Sequence, residues 1–360
     1  MRIGIICPYS LTVPGGVQSQ VMGLARALRR QGERVRVLAP CDGPPPDAGV
    51  TPLGNSLPTA ANGSIAPVAP DPAAQLRTVR AIRDEGFDVI HLHEPLSPGP
   101  NHTTLLLKPA PLIGTFHAAG GSLAYDVMPR AVRFLAGRLD DRVAMSDDAR
   151  KMAEEGLGGD YDLTFNGVEL ARFASGAPRP TSGPTIFFIG RHEPRKGLRV
   201  LLEAMGGLPA DTRLWIAGDG HETAELKTKY AGDSRIEWLG TISESDKIAR
   251  LQGADVFCAP SLHGESFGIV LLEAMAAGTV VVAGDIPGYA NVARQGKDAL
   301  LVPAGDAAAL AEAIRSVLTD RRRSEQLVES GLKRAEEFSM ARLAETYLAR
   351  YERLIARAAV

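Results

Sequence analysis

Gly264-Glu265-Ser266-Phe267-Gly268-Ile269-Val270-Leu271-Leu272-Glu273-Ala274-Met275-Ala276-Ala277-Gly278 places two carboxylates eight residues apart, across a glycine-broken turn and the start of an apolar run. Ile269, Leu272 and Ala276 recur at helical spacing, with Val270 and Ala277 on the flank. Gly278 supplies a stop before Val280-Val281-Val282, a β-branched run that reads as a buried strand. That spacing puts Glu265 at the turn and Glu273 two turns along. Ser266 and Gly268 let the backbone approach a ligand and aim unpaired N–H groups at it, so the helix start reads as an anion site. A ligand with phosphates and several hydroxyls suits it: phosphates meet the positive end of the helix dipole, while a carboxylate accepts from paired sugar hydroxyls. Taken alone, the stretch reads equally well as a buried helix with one capping and one solvated glutamate.

The surrounding sequence decides between these readings. Val256 to Pro260 is the strand that delivers the turn. Upstream, the strand Thr185 to Ile189 is followed by Gly190-Arg191-His192-Glu193-Pro194-Arg195-Lys196-Gly197, then by a helix with Leu198, Leu201, Leu202 and Met205 on its apolar face. Cations at a helix start oppose its dipole unless an anion joins them, and a diphosphate answers that conflict; a plain surface loop is the other reading. Leu214 to Gly220 and Ile236 to Leu239 are further strands with their turns. Gly240 to Lys247 opens a helix with Ser243 as N-cap, and Leu300-Leu301-Val302 completes the sheet. Ala309 to Leu318, Arg323 to Phe338 and Ala341 to Arg357 read as helices, the last two amphipathic.

The N-terminal half repeats the alternation. Ile3 to Cys7 is a strand, the loop Tyr9 to Gly16 follows, and Val17, Val21, Leu24, Ala25 and Leu28 mark one helix face ending at Gly32. Gly15-Gly16 stands where a missing side chain admits a phosphate or sugar, or simply makes a turn. The G-x-G-x-x-G of a dinucleotide fold is missing there, which disfavours a dehydrogenase. After the strand Val35 to Ala39, the Pro- and Gly-rich tract Cys41 to Pro72, with Asn62-Gly63-Ser64 inside it, reads as a long irregular loop region of the kind that carries binding. The helix Ala73 to Glu85 spaces Arg77, Arg80 and Arg83 three apart, on a face that suits either acidic lipid headgroups or plain solvent. Phe87 to Leu92 is a strand leading through His91-Leu92-His93-Glu94-Pro95. His91 and His93 share a face, but no third His or Cys stands nearby at metal-ligand spacing. In Leu112 to His117 the terminal histidine emerges at the C-terminal end of a strand, beside Gly120-Gly121, where an open parallel sheet presents its ligand crevice. Arg142 to Ser146 is one more strand, Asn166-Gly167-Val168 turns out of the sheet, and Ser175 to Pro184 reads as the linker.

Composition sets bounds. The chain has 360 residues, 45% hydrophobic and 23% charged, too many for one ordinary core and suited to two α/β units. A net charge of −2 gives no reason to expect nucleic acid as the main partner. Cys7, Cys41 and Cys258 read as reduced core thiols of a cytoplasmic protein. No apolar run reaches the ~18 residues of a membrane span and no signal core opens the chain, so a soluble or at most peripheral protein is expected.

With Gly15-Gly16, His117, Arg191, Lys196 and Glu265-x7-Glu273 in place, the whole chain resembles the retaining glycosyltransferases of the GT-B fold, family 4. Cys7-Pro8-Tyr9-Ser10, Pro14-Gly15-Gly16-Val17-Gln18, Asn62-Gly63-Ser64, His93-Glu94-Pro95 and Gly264 to Gly278 look most like the actinobacterial phosphatidylinositol mannosyltransferases. The resemblance implies an α/β architecture of two facing Rossmann-like domains with an interdomain cleft. An acceptor-binding domain would span residues 1–168, joined by the C-terminal helix 341–360, and a nucleotide-sugar-binding domain residues 169–340. It implies mannose transfer from GDP-mannose to a phosphatidylinositol-type acceptor at the cytoplasmic membrane face, with no metal or other cofactor. Arg191 and Lys196 would hold the donor diphosphate, and Phe267, Gly268, Ile269 and Val270 would give it backbone N–H groups. Glu265 would bind the sugar hydroxyls and Glu273 the ribose. Ile242, Glu244 and Lys247 would meet the base, Glu244 accepting from two N–H groups that guanine has and uracil lacks. His117 would touch the sugar near its anomeric carbon and Gly16 would let diphosphate and acceptor close up. Tyr9, Gln18, Asn62, Gly63 and Ser64 would face the acceptor, and Arg77, Arg80 and Arg83 the membrane. Three rival functions stand beside this one: a retaining transferase using a UDP- or GDP-sugar on a soluble acceptor, a nucleotide-sugar epimerase, and a sugar-nucleotide sensor.

Overall fold

A computed structural model of the chain describes residues 1–61, 64–117 and 128–358; the side chains of 60, 61, 64 and 65 lie outside that description. The chain falls into two compact units, Met1–Gly167 with Met340–Val360, and Val168–Ser339.

In the first unit, seven strands pair in the order β3-β2-β1-β6-β7-β8-β9. They are β1 (Arg2–Ile6), β2 (Arg34–Ala39), β3 (Val50–Pro52), β6 (Val89–His93), β7 (Leu112–Phe116), β8 (Asp141–Ala144) and β9 (Asp162–Leu163). Every pairing is parallel. Parallel sheets are covered on both faces, which is why central strands such as β1 and β7 are apolar at nearly every position rather than at alternate ones. Ile3, Ile5, Val89, Ile113 and Val143 point to one face. The helices Gly16–Arg30 and Met340–Ala358 cover it with Val21, Leu24, Leu28, Leu343, Tyr347 and Tyr351. Ile6, Ile90, Leu112, Phe116 and Ala144 point to the other, under Ile82, Leu105, Val132 and Ala153. Each such buried Leu, Ile or Phe contributes ~1.5–3 kcal/mol.

The tract from Cys41 to Pro72 is not irregular throughout. It holds β3 on the sheet edge and an antiparallel hairpin, β4 (Leu57–Ala61) with β5 (Ser64–Val68). Prolines at 52, 58 and 67 hid these short strands, since proline is tolerated at edges and in hairpins that no third strand must pair with.

In the second unit, six parallel strands take the order β12-β11-β10-β13-β14-β15. They are β10 (Thr185–Ile189), β11 (Arg213–Ala217), β12 (Ile236–Gly240), β13 (Val256–Ala259), β14 (Val280–Asp285) and β15 (Leu300–Pro303). Residues 175–184 were expected as a linker; they lie inside this unit, where the Arg179 N–H donates to the Ala249 carbonyl at 2.8 Å. The strand order reverses between β1 and β6 in one sheet and between β10 and β13 in the other. In open α/β sheets, ligands bind outside the strand C-termini at such switch points. The loops leaving β10 and β13 are Gly190 to Gly197 and Pro260 to Gly268. The segments leaving β1 and β6 start at Cys7 and Glu94.

Candidate active site

Two backbone approaches build the site in the second unit. Gly197 has φ 69°, and a Cβ there would stand 1.9 Å from the Pro260 carbonyl oxygen, so the loop after β10 lies directly on the loop after β13. Gly268, at φ 89°, turns the chain into the helix Ile269–Ala276, which no side chain caps. Its first N–H groups thus lack intrahelical partners, and the dipole gives them partial positive charge. Because the helix starts at Gly268, Glu273 sits one turn into it, not the two turns that counting from Glu265 implied.

Glu265 is the centre of the ion pairs around this turn. Its Oε1 meets Lys196 Nζ at 2.5 Å and Arg195 Nη1 at 3.3 Å, and accepts from Ser261 Oγ at 3.2 Å. Oε2 has no partner among the described residues. Arg195 also donates to the Gly264 carbonyl at 3.2 Å and to Glu193 at 2.9 Å. Arg191 pairs with the other Glu193 oxygen at 2.8 Å and not with Glu265; its side chain is half exposed. The cations at this loop therefore have anions within the protein, Glu193 and Glu265, and the charge conflict read from the sequence does not by itself call for a diphosphate. Tyr289 OH and Ser261 Oγ lie 2.9 Å apart; burial, with Glu265 adding to it, pushes the phenol well above its ordinary range.

A second cluster lies beside it. Lys247 Nζ reaches both Glu273 oxygens at 3.0 Å and Glu244 at 2.9 Å, and it stands 5.4 Å over the Phe173 ring. Burial lifts the Glu273 carboxyl, with Lys247 acting against it. Burial also opposes the charge on Lys247, yet the two carboxylates outweigh it and its pKa rises. Ser243 caps this helix as expected, its Oγ accepting from the Asp246 N–H at 3.1 Å. Glu244 is exposed and also lies 3.7 Å from Arg172, while Ile242 is half-buried. Phe267 is buried against Phe338, ring centroids 5.7 Å apart; Gly268 is buried, and Ile269 and Val270 are half-buried.

In the first unit, strand parity sets the geometry. His91 and His93 follow Val89 by twos, and Thr115 and His117 follow Ile113 by twos, so all four face the helix Met340–Ala358. His91 Nδ1 meets Tyr351 OH and its Nε2 meets Thr115 Oγ1, each at 2.7 Å; Thr115 Oγ1 in turn meets Tyr347 OH at 2.7 Å. With both ring nitrogens bound to hydroxyls, His91 is a core group and not a metal ligand. His93 Nδ1 meets His117 Nε2 at 2.8 Å. Burial holds all three imidazoles neutral, pulling His91 down to about 3, His93 well below its ordinary value and His117 to about 4, the last opposed by Asn166.

Tyr9 pairs with Val68 of the hairpin in a single β-bridge and its OH lies 3.5 Å from Ser97 Oγ; burial raises its pKa, with Glu94 adding to the effect. Gln18 is buried and holds its own loop, its amide donating to the Ser10 and Val13 carbonyls at 3.4 and 3.2 Å. Gly16 opens the first helix, and a Cβ there would meet nothing within 4 Å, so the space in front of it is free within the described residues. Asn62 and Gly63 lie outside the described residues; Ser64 begins β5. Arg77, Arg80 and Arg83 are exposed on the helix Pro72–Glu85, with Arg77 donating to the Leu53 carbonyl at 3.2 Å and Arg80 3.5 Å from Asp84. Among the described residues no helix is long and apolar enough to cross a membrane.

Residues 14–172 match the family described as Glycosyltransferase Family 4, and residues 173–334 that described as Glycosyl transferases group 1. The phosphatidyl-myo-inositol mannosyltransferase of Mycobacterium leprae is 41% identical over 98% of this chain and 96% of its own. That of Mycolicibacterium smegmatis is 42% identical over 89% and 85%. The chain belongs to this family of glycosyltransferases. It is therefore an enzyme that transfers a hexosyl group, and the sensor and epimerase readings fall away. Solved structures agree on the fold. Anabaena Alr3699/HepE, in complex with UDP and glucose, superposes with a TM-score of 0.73 at 18% identity, covering 98% of this chain and 100% of that one. The sucrose-phosphate synthase from Thermosynechococcus elongatus gives 0.75 at 21% identity, covering 99% of each.

Several groups in this glycosyltransferase were not singled out from sequence. Arg195, rather than Arg191, shares Glu265 with Lys196; its place next to Lys196 was the available signal. Ser261 and Tyr289 carried none: Ser261 meets Glu265 through the fold of its own loop, and Tyr289 reaches Ser261 from a distant stretch of the chain.

Proposed function

We propose that this glycosyltransferase moves mannose from GDP-mannose to a phosphatidylinositol-type acceptor with retention of configuration, working at a membrane surface to which it binds peripherally. The observation that carries the donor reading is the cluster of Lys196, Arg195 and Glu265 at the uncapped start of the helix Ile269–Ala276. The acceptor and the sugar are supported by the near full-length relatives, which are phosphatidyl-myo-inositol mannosyltransferases.

In this reading the diphosphate takes the N–H groups at Phe267 to Val270 together with the charge of Lys196, Arg195 and Arg191. The free Oε2 of Glu265 accepts from sugar hydroxyls. Glu273 receives the ribose and Glu244 the base. The acceptor oxygen attacks the anomeric carbon on the face the leaving group departs from. The bond from that carbon to the phosphate oxygen breaks, a new one to the acceptor oxygen forms, and the acceptor proton passes to the leaving phosphate. The cations stabilise the charge that grows on the diphosphate, and His117 contacts the sugar. No residue acts as a nucleophile. Tyr9 faces the acceptor, and the exposed Arg77, Arg80 and Arg83 meet anionic lipid, each cation near such a surface contributing ~1 kcal/mol.

The test is transfer of labelled mannose from GDP-mannose to phosphatidylinositol in vesicles, with EDTA present, and assignment of the product anomer by NMR. A lipid-linked α-mannoside supports the reading. Transfer only from UDP-sugars, or only to a soluble acceptor, overturns it.

A further inference from the structure

We propose that His93 is a positioning residue for His117: its Nδ1–H donates to His117 Nε2, so that His117 presents a protonated Nδ1 to the bound sugar. This rests on the reading that His117 faces the sugar.

The chain of observations begins at the other end of the His93 ring. His93 Nε2 is buried and has no partner among the described residues. A buried N–H without an acceptor costs more than a bare lone pair, so the proton of the neutral ring belongs on Nδ1. Nδ1 is the atom 2.8 Å from His117 Nε2, which must then accept. A neutral imidazole carries one proton, and with Nε2 accepting, His117 carries its own on Nδ1.

The surroundings hold both rings in this relation. His93 stacks on His91 with centroids 4.3 Å apart and on His117 at 5.1 Å. His91 is itself pinned by Tyr351 and Thr115. Below the rings, Glu94 Oε1 accepts the His117 backbone N–H at 2.8 Å, and the Asn101 amide donates to the His93 and Glu94 carbonyls at 2.9 and 2.8 Å. Ring orientation comes from His93, with the Asn166 side chain as a second hydrogen-bonding neighbour of the His117 ring, and backbone position from Glu94. Free imidazole side chains in water favour the proton on Nε2, so an Nδ1–H form at His117 has to be imposed by a neighbour. His93 imposes it.

The experiment uses the full chain labelled with 15N-histidine, and long-range proton–nitrogen spectra that distinguish the two tautomers. The wild-type His117 ring is expected as the Nδ1–H form, and His93→Ala as a mixture rich in Nε2–H. Turnover of His93→Ala is expected to fall about 10- to 100-fold, with GDP affinity unchanged. His93→Asn, whose amide N–H occupies the place of Nδ1–H, is expected to restore most of the loss and the wild-type tautomer. An Nε2–H form of His117 in the wild type overturns the proposal without any variant. So does an Asn variant no better than Ala. Full turnover in His117→Ala would instead remove the sugar contact on which the proposal rests, while the tautomer measurement would still stand on its own.

Discussion

At the end of β13, Glu265 carries a full charge and is neutralised by Lys196 and Arg195, whereas at the ends of β6 and β7, His91, His93 and His117 are uncharged and hold one another through neutral hydrogen bonds and stacking. In the proposed reading, the first arrangement keeps two cations and a carboxylate in place and exchanges these internal partners for a diphosphate and a sugar. In the same reading, the second orients a donor toward the sugar without adding charge beside the anomeric carbon. Both stand at switch points of their sheets, so the difference lies in burial: Glu265 sits on a loop, while His91 and His93 lie within a strand covered by the last helix.

The largest effect that would break this comparison is at Glu265. Glu265→Ala is expected to lower turnover by about 10²- to 10³-fold, while GDP binds as tightly as before or more tightly, because Lys196 and Arg195 lose their internal anion. Titration calorimetry with GDP beside steady-state turnover checks it, and parallel loss of both would remove Glu265 from the sugar. His117→Ala should cost about 10- to 100-fold in turnover and leave GDP affinity within about two-fold. Weakened GDP binding in that variant would mean that the histidine stack supports the donor site directly.

Stability sharpens the contrast. Removing Glu273 leaves the half-buried ammonium of Lys247 with the exposed Glu244 as its one remaining carboxylate among the described residues, so Glu273→Ala should destabilise by ~1–3 kcal/mol, read as a shift in the urea midpoint. The imidazoles give a pH signature of definite sign. Unfolded, they titrate near 6.5; folded, His91 does so at about 3 and His117 at about 4. Between those values the unfolded chain binds more protons, so stability that is whole above pH 6.5 is lost as pH falls toward 4. Chemical unfolding across that window should show the slope, and His91→Asn should flatten it. The smallest effect is expected at the exposed face of the helix Pro72–Glu85: Arg80→Glu should weaken sedimentation with anionic vesicles a few-fold and leave GDP affinity alone. Unchanged vesicle binding would take this face out of the membrane reading.

Most strands were legible. Thr185–Ile189 forms as read, and the others differ at their ends by a residue or a few, because a strand covered on both faces carries a short apolar run. The tract from 41 to 72 was not, since edge strands and hairpins tolerate proline and carry no continuous apolar run. The linker reading of 175–184 failed for a related reason. Proline, serine and glycine mark the lack of a helix or strand, not the lack of contact, and Arg179 is tied to its own unit by a backbone bond. Glu265, Lys196 and His117 could be singled out as candidates from local context, because each follows a strand end or precedes a helix.

The sequence alone determined the alternation of strand and helix, the glycines that turn each strand end toward a ligand, and membership of the glycosyltransferases, because these depend on short-range periodicity and on residues close together in the chain. Which charges meet was decided only by tertiary structure. Arg195 and Lys196 reach Glu265 from about seventy residues away, because Gly197 lets one loop lie on another. Tyr347 and Tyr351 reach His91 and Thr115 from the far end of the chain, because the last helix packs on the face to which strand parity turns them. Partners so distant in sequence leave no local pattern, and only packing brings them within a hydrogen bond.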